Sequence, residues 1–242
     1  MKNIKIILSY DGTNYLGWQK TKTGPSIEEE LEKACFILLK QKFLFQAASR
    51  TDKNVHAKKQ ILNFFIDKEI DLNLLKYKLN CLLPKDIRIL QLKEVDKNFH
   101  PTLDCIKKHY RYYICQDPFQ YPHKRFYSWH IPHPLNIDKM KKASKILIGK
   151  HNFLAFSNRK EKNPIREIYE ISIEKKDNQI IIDIIGNSFL YKMIRNIVGC
   201  LVFIGKEKII PCHIKKILKS QNRKKIFVTA SSHGLFLYDI FY

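Results

Sequence analysis

Within eight residues, Ser49-Arg50-Thr51-Asp52-Lys53-Asn54-Val55-His56 gathers a guanidinium, a carboxylate and an imidazole. Strand-like runs flank it, Phe43–Ala48 before and Ile61–Ile66 after. Two strands would hold such a loop still while exposing it, as a reactive site requires. A carboxylate presented this way can stabilise a developing positive charge or add covalently to an electrophile. The plainer reading is a turn, since Asp and Asn favour turns and hydrogen-bond their own backbone. A second candidate, Arg195, lies in the apolar run Phe189-Leu190-Tyr191-Lys192-Met193-Ile194-Arg195-Asn196-Ile197-Val198-Gly199. An arginine there sits at a solvated edge or pairs with a carboxylate, because burying it alone is costly. Asp52 is a candidate partner.

The elements that must position these residues follow from periodicity. Ile4, Ile6, Leu8 and Tyr10 predict a strand, closed by Asp11-Gly12. A polar loop with Trp18 leads to Ser26-Ile27-Glu28-Glu29, a capping-box pattern ahead of a helix carrying Leu31, Ala34, Cys35 and Leu38. The two strands around Asp52 come next. Asp71 then caps a helix that Pro84 ends, and Ile87, Ile89 and Leu92 mark a fourth strand. The order is β-α-β-β-α-β, the ferredoxin-like arrangement.

The second half repeats that plan with one helix added. Cys105–Cys115 reads as a strand with Tyr110, Tyr112 and Ile114 on one face and His109, Arg111 and Tyr113 on the other. Asn136 caps a helix with Gly149 just past its end, and 151–166 reads as irregular and basic. A hairpin turns at Lys176-Asp177-Asn178, an apolar helix spans about Ser188–Ile204, Pro211 opens another, and Leu235–Phe241 is the last strand. The expectation is α+β: two ferredoxin-like halves, residues 1–103 and 104–242, with a joined, mostly antiparallel sheet and a basic cleft between them.

The chain carries 44 Lys and Arg against 23 Asp and Glu, a formal net charge of +21. That excess favours polyanions, and with 12 Tyr and 15 Phe it favours RNA, whose bases stack on aromatic rings while its phosphates meet cations. None of the six cysteines forms a C-x-x-C pair, which argues against a zinc knuckle and for buried thiols in a reducing compartment. His130 and His133 have no further ligand at metal spacing, so no metal site is expected. The longest apolar run, Ile197–Ile204, is too short to span a bilayer. With no leader pattern at the start, the chain reads as soluble and cytoplasmic.

Several ordered motifs resemble the tRNA pseudouridine synthase A family along nearly the whole chain. They are Tyr10-Asp11-Gly12 with Gly17-Trp18-Gln19; Ser49-Arg50-Thr51-Asp52 with Val55-His56-Ala57; Tyr110-Arg111-Tyr112; Gly149-Lys150-His151-Asn152-Phe153 with Phe156-Ser157; and Asn187-Ser188-Phe189-Leu190 through Met193-Ile194-Arg195 to Gly199. Departures are Ser49 for the family's glycine, Lys53-Asn54 for its Ala-Gly, and Ser231 for its proline. Asn54 tolerates a left-handed backbone, so its replacement is mild.

The resemblance implies a pseudouridine synthase fold, usually a homodimer, isomerising uridine to pseudouridine at positions 38, 39 and 40 of the tRNA anticodon stem-loop. It implies no cofactor and no essential metal. By the motif match Asp52 is the catalytic carboxylate, Tyr110 contacts the target base and Arg195 pairs with Asp52. The chemistry asks for such groups. Uracil leaves through N1 and rejoins through C5, and leaving builds positive charge at C1′. Three routes are open to the carboxylate: attack at C1′, attack at C6, or removal of the C2′ proton. An arginine partner favours its charged form. Flipping the base out of a stem leaves a gap or a phosphate for Arg50 or His56 to meet. The rival expectation is a basic RNA-binding module without catalysis, using Tyr110 and Tyr112 as stacking platforms.

Overall fold

The computed structural model describes residues 1–225 and 228–242. The chain divides into two compact units, one of Met1–Ile106 with Phe236–Tyr242 and one of Lys107–Leu235.

In the first unit the element order is β1 (Lys2–Tyr10), α1 (Ile27–Leu39), β2 (Gln46–Ala47), β3 (His56–Ile66), α2 (Leu72–Leu82) and β4 (Ile87–Val95). β1 is the central strand, antiparallel to β3 on one side and β4 on the other. β2 lies antiparallel on the outer edge of β3. The strand order 4-1-3-2 is therefore that of a ferredoxin-like unit. Ile4, Ile6 and Leu8 of β1, Leu62 and Phe64 of β3, and Ile27 and Leu31 of α1 are fully buried. The caps are those the sequence predicts: Ser26 accepts from the Glu29 N–H, and Asp71 from the Asn73 and Leu74 N–H groups.

Two strand boundaries differ from the sequence expectation. β2 spans only Gln46–Ala47; Phe43 and Phe45 lie before it and meet the Phe64 ring at 5.0 and 5.8 Å. β3 starts at His56, five residues before the expected Ile61. Its early part pairs with the end of β1, Tyr10 opposite Ala57, and with β10 (Leu235–Phe241), which runs parallel to it with Phe236 opposite His56. Both pairings are distant in sequence.

The second unit contains β5 (Lys107–Cys115), β6 (Trp129–His130), α3 (Ile137–Ser144), β7 (Gly149–Asn152), β8 (Ile165–Lys176), β9 (Gln179–Gly186), α4 (Met193–Gly205) and α5 (His213–Ser220). The order β5-β9-β8-β7 is antiparallel throughout, and β6 adds a short parallel pair to β5. Tyr110, Tyr112 and Ile114 alternate inward as predicted. The segment expected to be irregular, 151–166, begins inside the edge strand β7.

Helix α4 begins at Met193, five residues after the expected Ser188. The preceding residues are held as turns: the Asn187 side chain accepts the N–H groups of Glu167 and Ser188, and Lys192 takes a left-handed φ of 60°. Eleven of the thirteen α4 residues are buried; Arg195 and Phe203 are the two that are half-buried. Of the cysteines, Cys35, Cys115 and Cys200 are buried while Cys81 and Cys212 are exposed. Burial pushes the Cys35 and Cys200 thiols up to about 12. Among the described residues no helix is long and apolar enough to cross a membrane.

Candidate active site

In the first unit the Asp52 loop is fastened from both sides by the segment that follows β1. The Trp18 N–H donates to the Thr51 carbonyl at 3.0 Å, the Asn54 N–H to Tyr15 O at 3.3 Å, and the Val55 N–H to Asp52 O at 3.1 Å. Gly17 and Asp52 form an isolated antiparallel bridge. Tyr10 Oη and Thr51 Oγ1 share a buried hydrogen bond of 2.8 Å. On the far side Gln60 Nε2 donates to Ser49 O at 2.6 Å. These bonds fix the backbone of the loop that carries the Asp52 carboxylate.

Two glycines make the close approach possible. A Cβ at Gly12 would sit 2.1 Å from the Val55 carbonyl oxygen, and one at Gly17 would sit 2.5 Å from Thr51 O. Gly17 also has φ +114°, which side chains disfavour. Asn54 takes φ 63°, the left-handed conformation for which an Asn is the best substitute for glycine.

The loop places its charged residues differently. Arg50 and Lys53 are exposed, and Asp52 is half-buried. His56 is only 1% exposed. Its ring stacks on Phe236 at 4.5 Å between centroids, and its Nδ1 accepts from the Gly12 N–H at 3.0 Å. The Tyr15 hydroxyl donates to Asp86 at 2.6 Å; burial first, then that carboxylate, raise its pKa.

In the second unit Tyr110 is 7% exposed and meets the Phe189 ring edge-on at 5.3 Å. Arg195 lies in the first turn of α4. Its Nε donates to Ala230 O at 2.8 Å, and its own carbonyl accepts from the Ala230 N–H at 3.0 Å, so backbone and guanidinium grip one residue. Gly199 lets that segment close on the helix, since a Cβ there would lie 2.0 Å from Val228 O. Tyr112 donates its hydroxyl to Ser231 O at 2.7 Å. Burial lifts the Tyr112 pKa well above its ordinary value, against a smaller opposing pull from Arg195. Behind Tyr110, on the opposite face of β5, Arg111 grips Asp183 with two bonds of 2.7 and 3.1 Å while His109 adds one of 2.6 Å.

Sequence reasoning gave no role to Asn196. It is fully buried, donates to Phe156 O and Asn158 Oδ1 at 2.6 and 2.8 Å, and accepts from Thr229 Oγ1 and Arg223. It ties α4 to the two segments beside it. The available signal was a polar residue inside an apolar helix, which is buried only when bonded.

The fold and the loop define a class first: an α+β protein built on ferredoxin-like topology that presents one carboxylate from a clamped connection between strands. Residues 6–104 and 143–242 match the model of tRNA pseudouridine synthase. The chain is 49% identical to tRNA pseudouridine synthase A 2 of Protochlamydia amoebophila, over 100% of this chain and 95% of that protein. It is 43% identical to tRNA pseudouridine synthase A of Thermoanaerobacter pseudethanolicus and 41% to that of Borrelia duttonii, each over the full length of both chains. The chain belongs to the tRNA pseudouridine synthase family.

Proposed function

We propose that this protein isomerises uridine to pseudouridine in tRNA, at positions 38, 39 and 40 of the anticodon stem-loop, acting as a cytoplasmic homodimer. The observation that carries the reading is the clamped Asp52 loop in a chain that matches its relatives end to end. The N1–C1′ bond breaks, the base turns, the C5–C1′ bond forms, and the C5 hydrogen leaves as a proton while N1 regains one. No atom is gained or lost overall, so no co-reactant is needed.

Asp52 supplies the carboxylate that meets the electron-poor sugar or base. Arg195 is its ion-pair partner in this proposal, favouring the ionised form. The grip on Ala230 supports that role by fixing the guanidinium. Tyr110 holds the target base, and its edge contact with Phe189 supports a fixed ring plane. Arg50 is exposed and reaches for phosphate or fills the space of the flipped base. The charge distribution supports an RNA substrate: the second unit has 26 Lys and Arg against 9 Asp and Glu, the first 18 against 14.

The test is to treat unmodified tRNA transcripts bearing uridine at these positions and map pseudouridine by carbodiimide adducts and primer extension. Stops at positions 38–40 with the wild type support the reading. Stops elsewhere would reassign the target site, and RNA binding without stops would leave a non-catalytic binding module.

A further inference from the structure

We propose that His56 is a positioning residue, an uncharged hydrogen-bond acceptor that sets the place of Asp52 through Gly12. This rests on the reading of Asp52 as the reacting carboxylate. With 1% exposure His56 is closed off from solvent, so it acts through protein groups and not on RNA. It is the first residue of β3, four positions after Asp52. Phe236 of β10 covers one face of its ring, with planes 24° apart, which holds the plane of the ring.

The Gly12 N–H donates to Nδ1 at 3.0 Å, and that bond needs the Nδ1 lone pair. The proposal thus assigns the ring the tautomer that carries its proton on Nε2. Asp11 Oδ1 also lies 3.0 Å from Nδ1. It is satisfied by the Thr13 N–H and hydroxyl at 3.0 and 2.5 Å. A proton on Nδ1 would turn to Asp11 and give up Gly12, so the clamp needs the Nδ1 lone pair.

Gly12 passes the constraint on. Its Cα faces the Val55 carbonyl so closely that a Cβ would stand 2.1 Å away. Val55 in turn donates its N–H to Asp52 O. Loss of the acceptor leaves a buried N–H unpaired, and the strain is relieved only by moving residue 12 against the loop.

The test compares His56→Phe, which keeps the stacked ring and loses the acceptor, with His56→Asn, whose Oδ1 stands where the ring carries Nδ1. Single-turnover tritium release from C5-labelled tRNA, tRNA affinity and thermal melting are measured for both. The expected result is a loss of about 10²-fold in turnover for H56F, the scale set by an ångström of misplacement. tRNA affinity stays unchanged, and H56N recovers most of the lost turnover. Equal losses in folded H56F and H56N, or a loss confined to tRNA affinity, would overturn the proposal. Nitrogen-15 NMR of the wild type decides it even if the variants do not fold: an unprotonated Nδ1 at neutral pH is expected, and a protonated one refutes it. If wild-type protein releases no tritium, the enzymatic reading fails, while the NMR result on the clamp stands on its own.

Discussion

Replacing Gly12 by Ala puts a Cβ 2.1 Å from the Val55 carbonyl oxygen, a backbone atom that cannot swing aside. Restoring an ordinary contact of 3.4 Å requires the two segments to part by about 1.3 Å. Because Val55 is bonded to Asp52, the displacement falls on the loop that carries the carboxylate. Misplacement of a reacting group by about 1 Å costs on the order of 10²-fold in rate. Forcing a methyl into a filled space costs about 1–3 kcal/mol of stability. Gly12→Ala should therefore lose about 10²-fold in single-turnover tritium release, with tRNA affinity near that of the wild type and a lowered melting temperature. Gly24→Ala is the control: its Cβ meets the end of the Leu16 side chain at 2.9 Å, which can rotate away. It should react at the wild-type rate. A folded Gly12→Ala protein with undiminished turnover would refute the idea that this contact positions Asp52.

Three further outcomes follow from other contacts. Arg195→Lys keeps the charge and loses the Nε bond to Ala230; it should lower turnover at least tenfold with little change in tRNA affinity, because lysine cannot reproduce a fixed planar fork. Asn196→Leu removes bonds to Phe156, Asn158 and Thr229 inside the core and should cost about 2–4 kcal/mol in denaturant unfolding. Burial alone would raise the Asp183 pKa, but the bonds from His109 and Arg111 outweigh it and hold the carboxyl below its usual range. A depressed folded value means stability that is present above the unfolded pKa of about 3.9 and lost as pH falls through the folded one. Melting temperature should thus drop below about pH 4 in the wild type and drop less steeply in Asp183→Asn.

Much of the fold was legible where local rules act alone. Ser26 and Asp71 announce their helices through capping chemistry, and the alternation of Tyr110, Tyr112 and Ile114 fixes the inward face of β5. The early start of β3 was hidden because its partners, Tyr10 and Phe236, lie far away in sequence. The late start of α4 was hidden because the apolar pattern runs on through a turn in which Asn187 accepts the Ser188 N–H and Lys192 takes a left-handed φ of 60°. At the site, the residue types of the Asp52 loop pointed to chemistry, but the partners of His56 could not be read from spacing. A histidine between Val55 and Ala57 looks alike whether it faces RNA or, as here, the Gly12 amide and the Phe236 ring.

In the proposed reaction Asp52 carries out uridine isomerisation on RNA. Pseudouridine formation must expel the hydrogen at C5, so the most direct measurement is tritium released to water from tRNA labelled at C5 of uridine, with Asp52→Asn alongside. The expected result is release by the wild type and none by the folded variant, which should still bind tRNA. Release by both proteins would contradict the role of Asp52, and release by neither would contradict the enzyme itself.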